Sequence, residues 1–565
     1  MLLSEYLFAK LKEVGVEQVF GVPGDYNLEL LDVLVDSEVE YIGCCNELNA
    51  GYAADGYARI KGLGVVITTY AVGELSVLNA VAGSLAERVP VLQITGAPKT
   101  QDWRDQRMLH HTFYDYHIPF KMYSEISCAA EIIFDINNAQ AQIDRCISTC
   151  LKEKKPAYLV IPADMPIKKL PSIKLNSNLS LFNSSDKTTL ESVTKFICQN
   201  ISEAKRAVLV PGVLLKRYQI VDQFKKLLEI TGLPYTTMMM SKGIIGEDHP
   251  QFIGMYSIGT TTDEVENYLE NSDLIVILGE MLTDFNTKGF TASLYKEKTL
   301  IIHDDYVAKD DQIFTNVYIK NVLESLITKV EKKQIADYPK QSGILPQNLP
   351  IEATKNLKQI LSMNGFFQAI NNWLGKNLTV VAETGSSMFA MGDLFFNSGN
   401  ELITQLFYGS IGYTIGATLG IGIANKTLKN GKRTVLFIGD GSFQVTAQDL
   451  SRYISNNLDI IVFIIDNDGY TIERAIDDNI YNDIPHWDYA EIPRVFGGEK
   501  GHLVRNYEEL LETFTFIDQN PGRTIVVQII LGRNEFGRSL ELAGQNMAET
   551  NEITYKHSYK SLKHH

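Results

Sequence analysis

Two short stretches of the chain set oxygen-bearing side chains and glycines directly after apolar runs. One is Gly439-Asp440-Gly441-Ser442, after Val435 to Ile438; the other is Asp466-Asn467-Asp468-Gly469, after Ile460 to Ile465. The carboxyl ends of strands in a parallel sheet open onto one edge, so Asp440 and Asn467 can approach each other across the intervening helix and strand. Mg²⁺ takes about six oxygens and commonly binds through one or two carboxylates together with phosphates. Asp440, Asn467 and the carbonyl of Gly469 therefore make half of such a shell. The glycines permit close backbone approach, and a helix beginning near Ser442 offers N–H groups and its positive end to an anion. The pattern predicts a metal-bridged diphosphate. Each stretch alone reads first as a tight turn between strand and helix; the pairing, one helix–strand unit apart, points to the metal.

The elements that would position these groups alternate between short β-branched runs and longer amphipathic stretches, the pattern of parallel sheets covered by helices. Runs at Val65–Thr69, Val91–Ile94 and Ala157–Ile161 read as buried strands of a first segment, with helices around Ala50–Ile60 and Ser76–Arg88. Ala207–Val210 and Leu274–Leu278 belong to a second, and Leu378–Ala382, Thr434–Ile438 and Ile460–Ile465 to a third. Linkers fall at Leu170–Lys187, rich in Ser and Asn, and at Gln341–Ala353, with Pro346 and Pro350. The expected fold is α/β, with three doubly wound parallel-sheet domains at 1–170, 188–340 and 355–565. Met1 to Phe20 reads as one amphipathic helix rather than an export signal.

Composition narrows the function. The 565 residues carry 52 Lys+Arg against 68 Asp+Glu, a net charge of -16, which supplies no broad basic surface for nucleic acid or anionic membrane. No apolar run approaches the 18 or more residues of a membrane span. Six cysteines lie before residue 200 without metal-ligand spacing, and Cys146 and Cys150, one helical turn apart, suit a packed face. A cytoplasmic, acidic, multidomain protein is expected.

Other residues suggest proton chemistry. Glu47, in Asn46-Glu47-Leu48-Asn49-Ala50, follows the apolar Tyr41 to Cys45; it reads either as a cap of the next helix or as a sheltered acid. Asp25 lies in a Pro-Gly-Asp turn, and His110 and His111 are adjacent. Gly412, Gly416 and Gly420 recur every fourth residue, which suits close helix packing with or without a ligand. With these stand Gly21 to Asn27, Gly73-Glu74-Leu75-Ser76, His110-His111-Thr112, Leu282 to Thr287, Ala382 to Gly385, Gly409-Ser410-Ile411-Gly412 and Asn467 to Glu473. Together, in this order and across most of the chain, they resemble the thiamine-diphosphate-dependent 2-oxo acid decarboxylases, most closely the pyruvate, indolepyruvate and branched-chain group.

The resemblance implies pyrimidine-binding, middle and diphosphate-binding domains, with thiamine diphosphate and Mg²⁺ as cofactors. It implies non-oxidative decarboxylation of 2-oxo acids to aldehyde and CO₂ through a thiamine diphosphate carbanion and enamine. Glu47 would bond the pyrimidine N1′, and Ile411 would wedge the cofactor into its folded form. Thr384, Ser386, Gly409, Ser410, Asp440, Gly441, Ser442, Asn467 and Ile472 would complete its contacts, with Asp440, Asn467 and Gly469 on the metal. Asp25, His110, His111 and Glu473 would relay protons and orient the substrate. Active sites shared between subunits imply a homodimer or homotetramer. The middle segment, without a Gly-x-Gly-x-x-Gly run after Val210, would be structural or regulatory. Phe285, Met388, Ile472, Ala543 and Met547 match the family's substrate pocket, and their adaptable aliphatic character suits medium aliphatic or branched 2-oxo acids. Other readings are a pyruvate or indolepyruvate decarboxylase, an acetolactate-synthase-like carboligase, which the His-His pair opposes, and a catalytically silent regulatory subunit, which the matched catalytic positions oppose. The cysteine at which some fungal relatives are activated has no counterpart in Val208 to Ile220.

Overall fold

The structure, a computed structural model, describes residues 1–171, 179–333, 338–339 and 356–544. The Gln341–Ala353 linker, part of the Leu170–Lys187 linker and Met547 lie outside the described residues.

The first sheet is built from β1 (Gln18–Gly21), β2 (Glu40–Gly43), β3 (Gly64–Thr69), β4 (Val91–Ala97), β5 (Ala129–Ile132) and β6 (Ala157–Pro162). They lie in the order β2-β1-β3-β4-β6-β5, all parallel. The second contains β7 (Ala207–Pro211), β8 (Tyr235–Thr237), β9 (Phe252–Met255), β10 (Leu274–Leu278), β11 (Thr299–Ile302), β12 (Tyr306–Lys309) and β13 (Gln312–Thr315) in the order β13-β12-β11-β10-β7-β8-β9. It is parallel except at one edge, where β12 and β13 form an antiparallel hairpin around Asp310, at φ 54°. The third holds β14 (Leu378–Ala382), β15 (Glu401–Ile403), β16 (Arg433–Gly439), β17 (Ile460–Asp466), β18 (His502–Val504) and β19 (Ile525–Ile530), all parallel, in the order β15-β14-β16-β17-β19-β18. Three parallel-dominated sheets with interleaved helices are the expected α/β architecture. The central strands β3, β4, β6, β7, β10 and β17 are buried along their whole length, which is why they read as continuous apolar runs.

The amino-terminal expectation needs correction. Helix α1 (Leu3–Glu13) ends early, Gly15 takes φ 91°, and Gln18–Gly21 is strand β1. The apolar spacing continues through Val16, Val19 and Phe20, so periodicity alone ran past a glycine in the left-handed region that stops the helix.

Two compact units emerge. One comprises 1–183 with 408–431 and 446–458; the other comprises 184–407, 432–445 and the residues from 459 on. In the first unit, helix α2 (Glu47–Lys61) starts at Asn46, whose side chain accepts the Asn49 N–H at 2.8 Å, and ends at Gly62, φ 97°. Helix α3 (Val72–Ala86) follows β3, and α4 (Tyr413–Leu428) packs on α2. A Cβ on Gly420 would stand 1.8 Å from the Ala53 carbonyl oxygen, and one on Gly416 2.6 Å from that of Asn49. The four-residue glycine spacing is thus accounted for by backbone packing. Asp55 stitches the layer together: it pairs with Arg59 at 2.6 Å and accepts the hydroxyls of Tyr413 (2.6 Å) and Ser84 (2.8 Å). Cys146 and Cys150 are buried on the inner face of the helix Ala139–Glu153. Among the described residues no helix is long and apolar enough to cross a membrane.

Candidate active site

In an open parallel sheet, ligands bind outside the carboxyl ends of the strands where the strand order reverses. In the third sheet that point lies between β14 and β16. Thr384, Gly385 and Ser386 follow β14, Asp440, Gly441 and Ser442 follow β16, and Asn467 to Gly469 follow the adjacent β17. The structure brings the last two groups into contact. Asp440 is buried; its Oδ1 accepts the Gly441 N–H at 2.7 Å, and its Oδ2 accepts those of Asn467 at 3.2 Å and Gly469 at 3.0 Å. Burial pushes its carboxyl up to about 7 despite these donors, and neighbouring Asp466 adds to the push. A cation beside it would offset that cost.

The site fits such a cation. The Asn467 side chain is buried with no hydrogen-bond partner among the described residues, so its oxygen is available. The Gly469 carbonyl accepts only the Thr471 N–H, at 3.0 Å, leaving a lone pair. Gly469 sits at φ 133°, where a Cβ would strike the Asn482 carbonyl oxygen at 2.1 Å, so no other residue could shape this loop. A Cβ on Gly439 would meet nothing within 4 Å, which leaves open space beside Asp440 at the start of helix α5 (Asp440–Thr446).

Helix α6 (Thr471–Ile476) carries Ile472, half-buried, and Glu473, exposed. Ile472 and Phe285 both pack on the apolar cluster that contains Met388 and Ala543. The Phe285 and Phe389 ring centroids are 5.9 Å apart. Four of the five expected pocket residues therefore share one apolar cluster; Met547 is the fifth.

In the first sheet the order reverses between β1 and β3. Asp25 lies in the loop after β1, and a Cβ on Gly24 would meet Thr69, the last residue of β3, at 2.6 Å. His110 Nε2 and Asp25 Oδ2 are 2.5 Å apart, and ligand atoms of Asp25, His110 and His111 all lie within 4.8 Å of one another. All three are exposed. Glu47 opens α2, half-buried rather than enclosed, and among the described residues nothing hydrogen-bonds its carboxylate. Ser410 Oγ lies 2.7 Å from the Tyr52 hydroxyl and accepts from Asn79 at 2.9 Å; Ile411 is 37% exposed. The expected residues thus divide between the units: Asp25, Glu47, His110, His111, Gly409, Ser410 and Ile411 in one, and Phe285, Thr384, Ser386, Met388, Asp440 to Ser442, Asn467, Gly469, Ile472, Glu473 and Ala543 in the other.

Sequence reasoning missed Tyr26. Its ring stacks on His110 at 5.0 Å and 11°, and its hydroxyl donates to the His110 carbonyl at 3.2 Å. Burial and the adjacent Asp25 push its phenol up to about 12, so it stays a donor. Its place next to Asp25 in the turn was the available signal. The second sheet contrasts with both others. At its reversal, between β7 and β10, a Cβ on Gly212 would lie 2.1 Å from Glu280 Cα, so protein backbone fills the position.

Comparison with known proteins fits this geometry. The family models for the amino-terminal thiamine pyrophosphate-binding domain, the central domain and the carboxy-terminal thiamine pyrophosphate-binding domain of thiamine pyrophosphate enzymes match residues 1–118, 194–318 and 383–527. Pyruvate decarboxylase of Aspergillus fumigatus is 36% identical over 558 residues, covering 97% of each chain. Pyruvate decarboxylase isozyme 1 of Saccharomyces cerevisiae is 37% identical over 541 residues, covering 93% of this chain and 95% of its own. The crystal structure of benzoylformate decarboxylase from Polynucleobacter necessarius superposes with a TM-score of 0.77 at 18% identity, over 94% of this chain and 99% of that one. The chain belongs to the thiamine-diphosphate-dependent 2-oxo acid decarboxylase family. It is a carbon–carbon lyase acting on a small 2-oxo acid, and thiamine diphosphate is its cofactor.

Proposed function

We propose that the protein decarboxylates medium aliphatic or branched 2-oxo acids to the corresponding aldehydes, using Asp440, Asn467 and the Gly469 carbonyl to hold Mg²⁺ and, through it, the diphosphate. The observation that carries the anchoring role is the buried Asp440 carboxylate bonded to the Asn467 and Gly469 amides at the strand-order reversal of the third sheet. Gly441 and Ser442 at the start of α5, and Thr384 and Ser386 after β14, bind and orient the cofactor, as do Gly409, Ser410 and Ile411. Bound thiamine diphosphate supplies an electron sink for the pair released when the carboxylate leaves as CO₂. Glu47, with no competing partner, holds a proton at the pyrimidine N1′. The Asp25–His110 pair with His111 transfers a proton to the product carbon, and Glu473 orients the substrate carboxylate.

The preference for larger 2-oxo acids is supported by the adaptable aliphatic side chains Met388, Ile472 and Ala543 sharing one apolar cluster with Phe285. A second reading, pyruvate itself, is favoured by the names of the relatives. A series of kcat/KM values decides: comparable or higher values for 2-oxoisovalerate and 2-oxohexanoate support the first, and a value for pyruvate far above both overturns it. A chelator control tests the Mg²⁺ requirement. We infer a homodimer or homotetramer with shared active sites, supported by exposed apolar side chains such as Met108, Tyr114, Ile480 and Tyr481. A cytoplasmic location is supported by six cysteines without a disulfide.

A further inference from the structure

Gly73-Glu74-Leu75-Ser76 belongs to the resemblance, yet the function above gives it no work. Glu74 is fully buried near the start of α3. Its Oε1 accepts the Ala71 N–H at 2.6 Å, and its Oε2 accepts the Tyr158 hydroxyl. Its own carbonyl accepts the Tyr123 hydroxyl at 2.5 Å, and the rings of Tyr123 and Tyr158 are stacked at 4.2 Å. Burial pushes its carboxyl up to about 7 in spite of these donors. A carboxyl kept at that cost, with a dedicated hydrogen bond to one backbone amide, calls for a return in the turn it holds.

That turn is strained. Ala71 lies at φ 51° and ψ -77°, the γ-turn region that L residues rarely occupy. It joins β3 to α3 at the strand-order reversal of the first sheet, the edge that carries the Asp25 loop. Two residues on, a Cβ added to Gly73 would stand 3.2 Å from Glu47 Oε1 and 3.2 Å from Thr69 Cγ2. The backbone of Gly73 therefore lies directly against the Glu47 carboxylate, and any relaxation of Ala71 would move that contact.

We propose that Glu74 is a positioning residue. By accepting the Ala71 amide it holds the strained β3–α3 turn that presses the Gly73 backbone against Glu47, and so fixes the orientation of the Glu47 carboxylate. The inference rests on the role proposed for Glu47.

The test is a rescue. Glycine occupies the γ-turn region at little cost, so Ala71→Gly makes the turn less dependent on Glu74. Four proteins are compared with the wild type: Glu74→Ala, Glu74→Gln, Ala71→Gly and the Glu74→Ala/Ala71→Gly double variant. Three quantities are read: kcat, thiamine diphosphate affinity in Mg²⁺ by calorimetry, and hydrogen–deuterium exchange of the segment 69–75 in cofactor-free protein. Glu74→Ala is expected to lower kcat about 10- to 100-fold with a change in substrate KM below about threefold, and to deprotect the segment. Glu74→Gln keeps an acceptor and retains most of kcat. The double variant recovers at least about fivefold of the loss and regains protection, a non-additivity that general damage to the core would not give. Glu74→Ser, too short to reach Ala71, runs through the same series so that the result does not hang on one variant folding. Additive effects, or an unchanged kcat in Glu74→Ala, overturn the proposal. Glu47→Gln runs alongside: if it leaves decarboxylation unchanged, the role of Glu47 falls; if it abolishes decarboxylation while Glu74→Ala does not alter kcat, only the role of Glu74 falls.

Discussion

The carboxylate after β16 and the carboxylate opening α2 stand in opposite environments. Asp440 is 1% exposed and takes three backbone N–H groups, whereas Glu47 is half-buried and has no hydrogen-bond partner among the described residues. The Asp25 and His110 side chains go further, at 50% and 59% exposure. A group that anchors a cation is best organised before the ion arrives, since ordering it on binding would subtract from affinity. A group that exchanges protons must keep its oxygen or nitrogen reachable. The proposed anchoring half of the chemistry is therefore built into the interior, and the proposed proton-handling half is left open.

The largest effect should come from the closed side. Asp440→Ala removes the central carboxylate, and we expect kcat to fall ~1,000-fold or more together with loss of Mg²⁺-dependent thiamine diphosphate binding in calorimetry. Binding retained within tenfold would break the contrast, because the buried cluster would then be only a turn. Next is Glu47→Gln, expected to cut kcat by about 100- to 1,000-fold while leaving the thermal midpoint unchanged, since no hydrogen bond is lost. A large drop in that midpoint would mean that Glu47 is structural after all.

A smaller effect is expected on the exposed pair. His110→Gln and Asp25→Asn should each lower kcat by about 10- to 100-fold, and the double variant should fall little further, because residues 2.5 Å apart act as a unit. Multiplying effects, read in steady-state rates for the two singles and the double, would show that the short contact is incidental.

Legibility in the sequence follows the same division. Asp440 and Asn467 could be found because both end long buried runs, and a parallel sheet forces such ends onto one edge. Strands β3, β4, β6, β7, β10, β14, β16 and β17 were legible for the same reason, while the buried β19 was passed over. β1 was not, because its four residues continue the apolar spacing of α1 and only Gly15 marks the break. Tyr26 and Glu74 act through a ring stack and a bond to a strained amide, and neither leaves a periodic trace. The grouping of 408–431 and 446–458 with the first sheet was equally hidden, since it depends on glycines of α4 meeting α2.

The second sheet offers the mildest test, in stability rather than rate. Glu280 follows β10, at the reversal point that backbone fills, and burial pushes its carboxyl up to about 8 although Ser241, Met281 and Val213 lie on it. Glu280 Oε1 accepts the Met281 N–H at 3.0 Å and the Asn286 side-chain amide at 3.1 Å, but the Ser241 hydroxyl already donates to the Met238 carbonyl and Oε2 has no hydrogen-bond partner among the described residues, so the charged form is only half met. With the folded value raised above the unfolded one, the folded protein binds the extra proton between about pH 4.5 and 8, and stability must fall as pH rises through that window. Glu280→Gln removes this dependence. The variant should match the wild type near pH 5 and exceed it near pH 8 by a few kcal/mol at most, a gain of several degrees in thermal midpoint. Parallel pH profiles of the two proteins would show that Glu280 is ionised and satisfied.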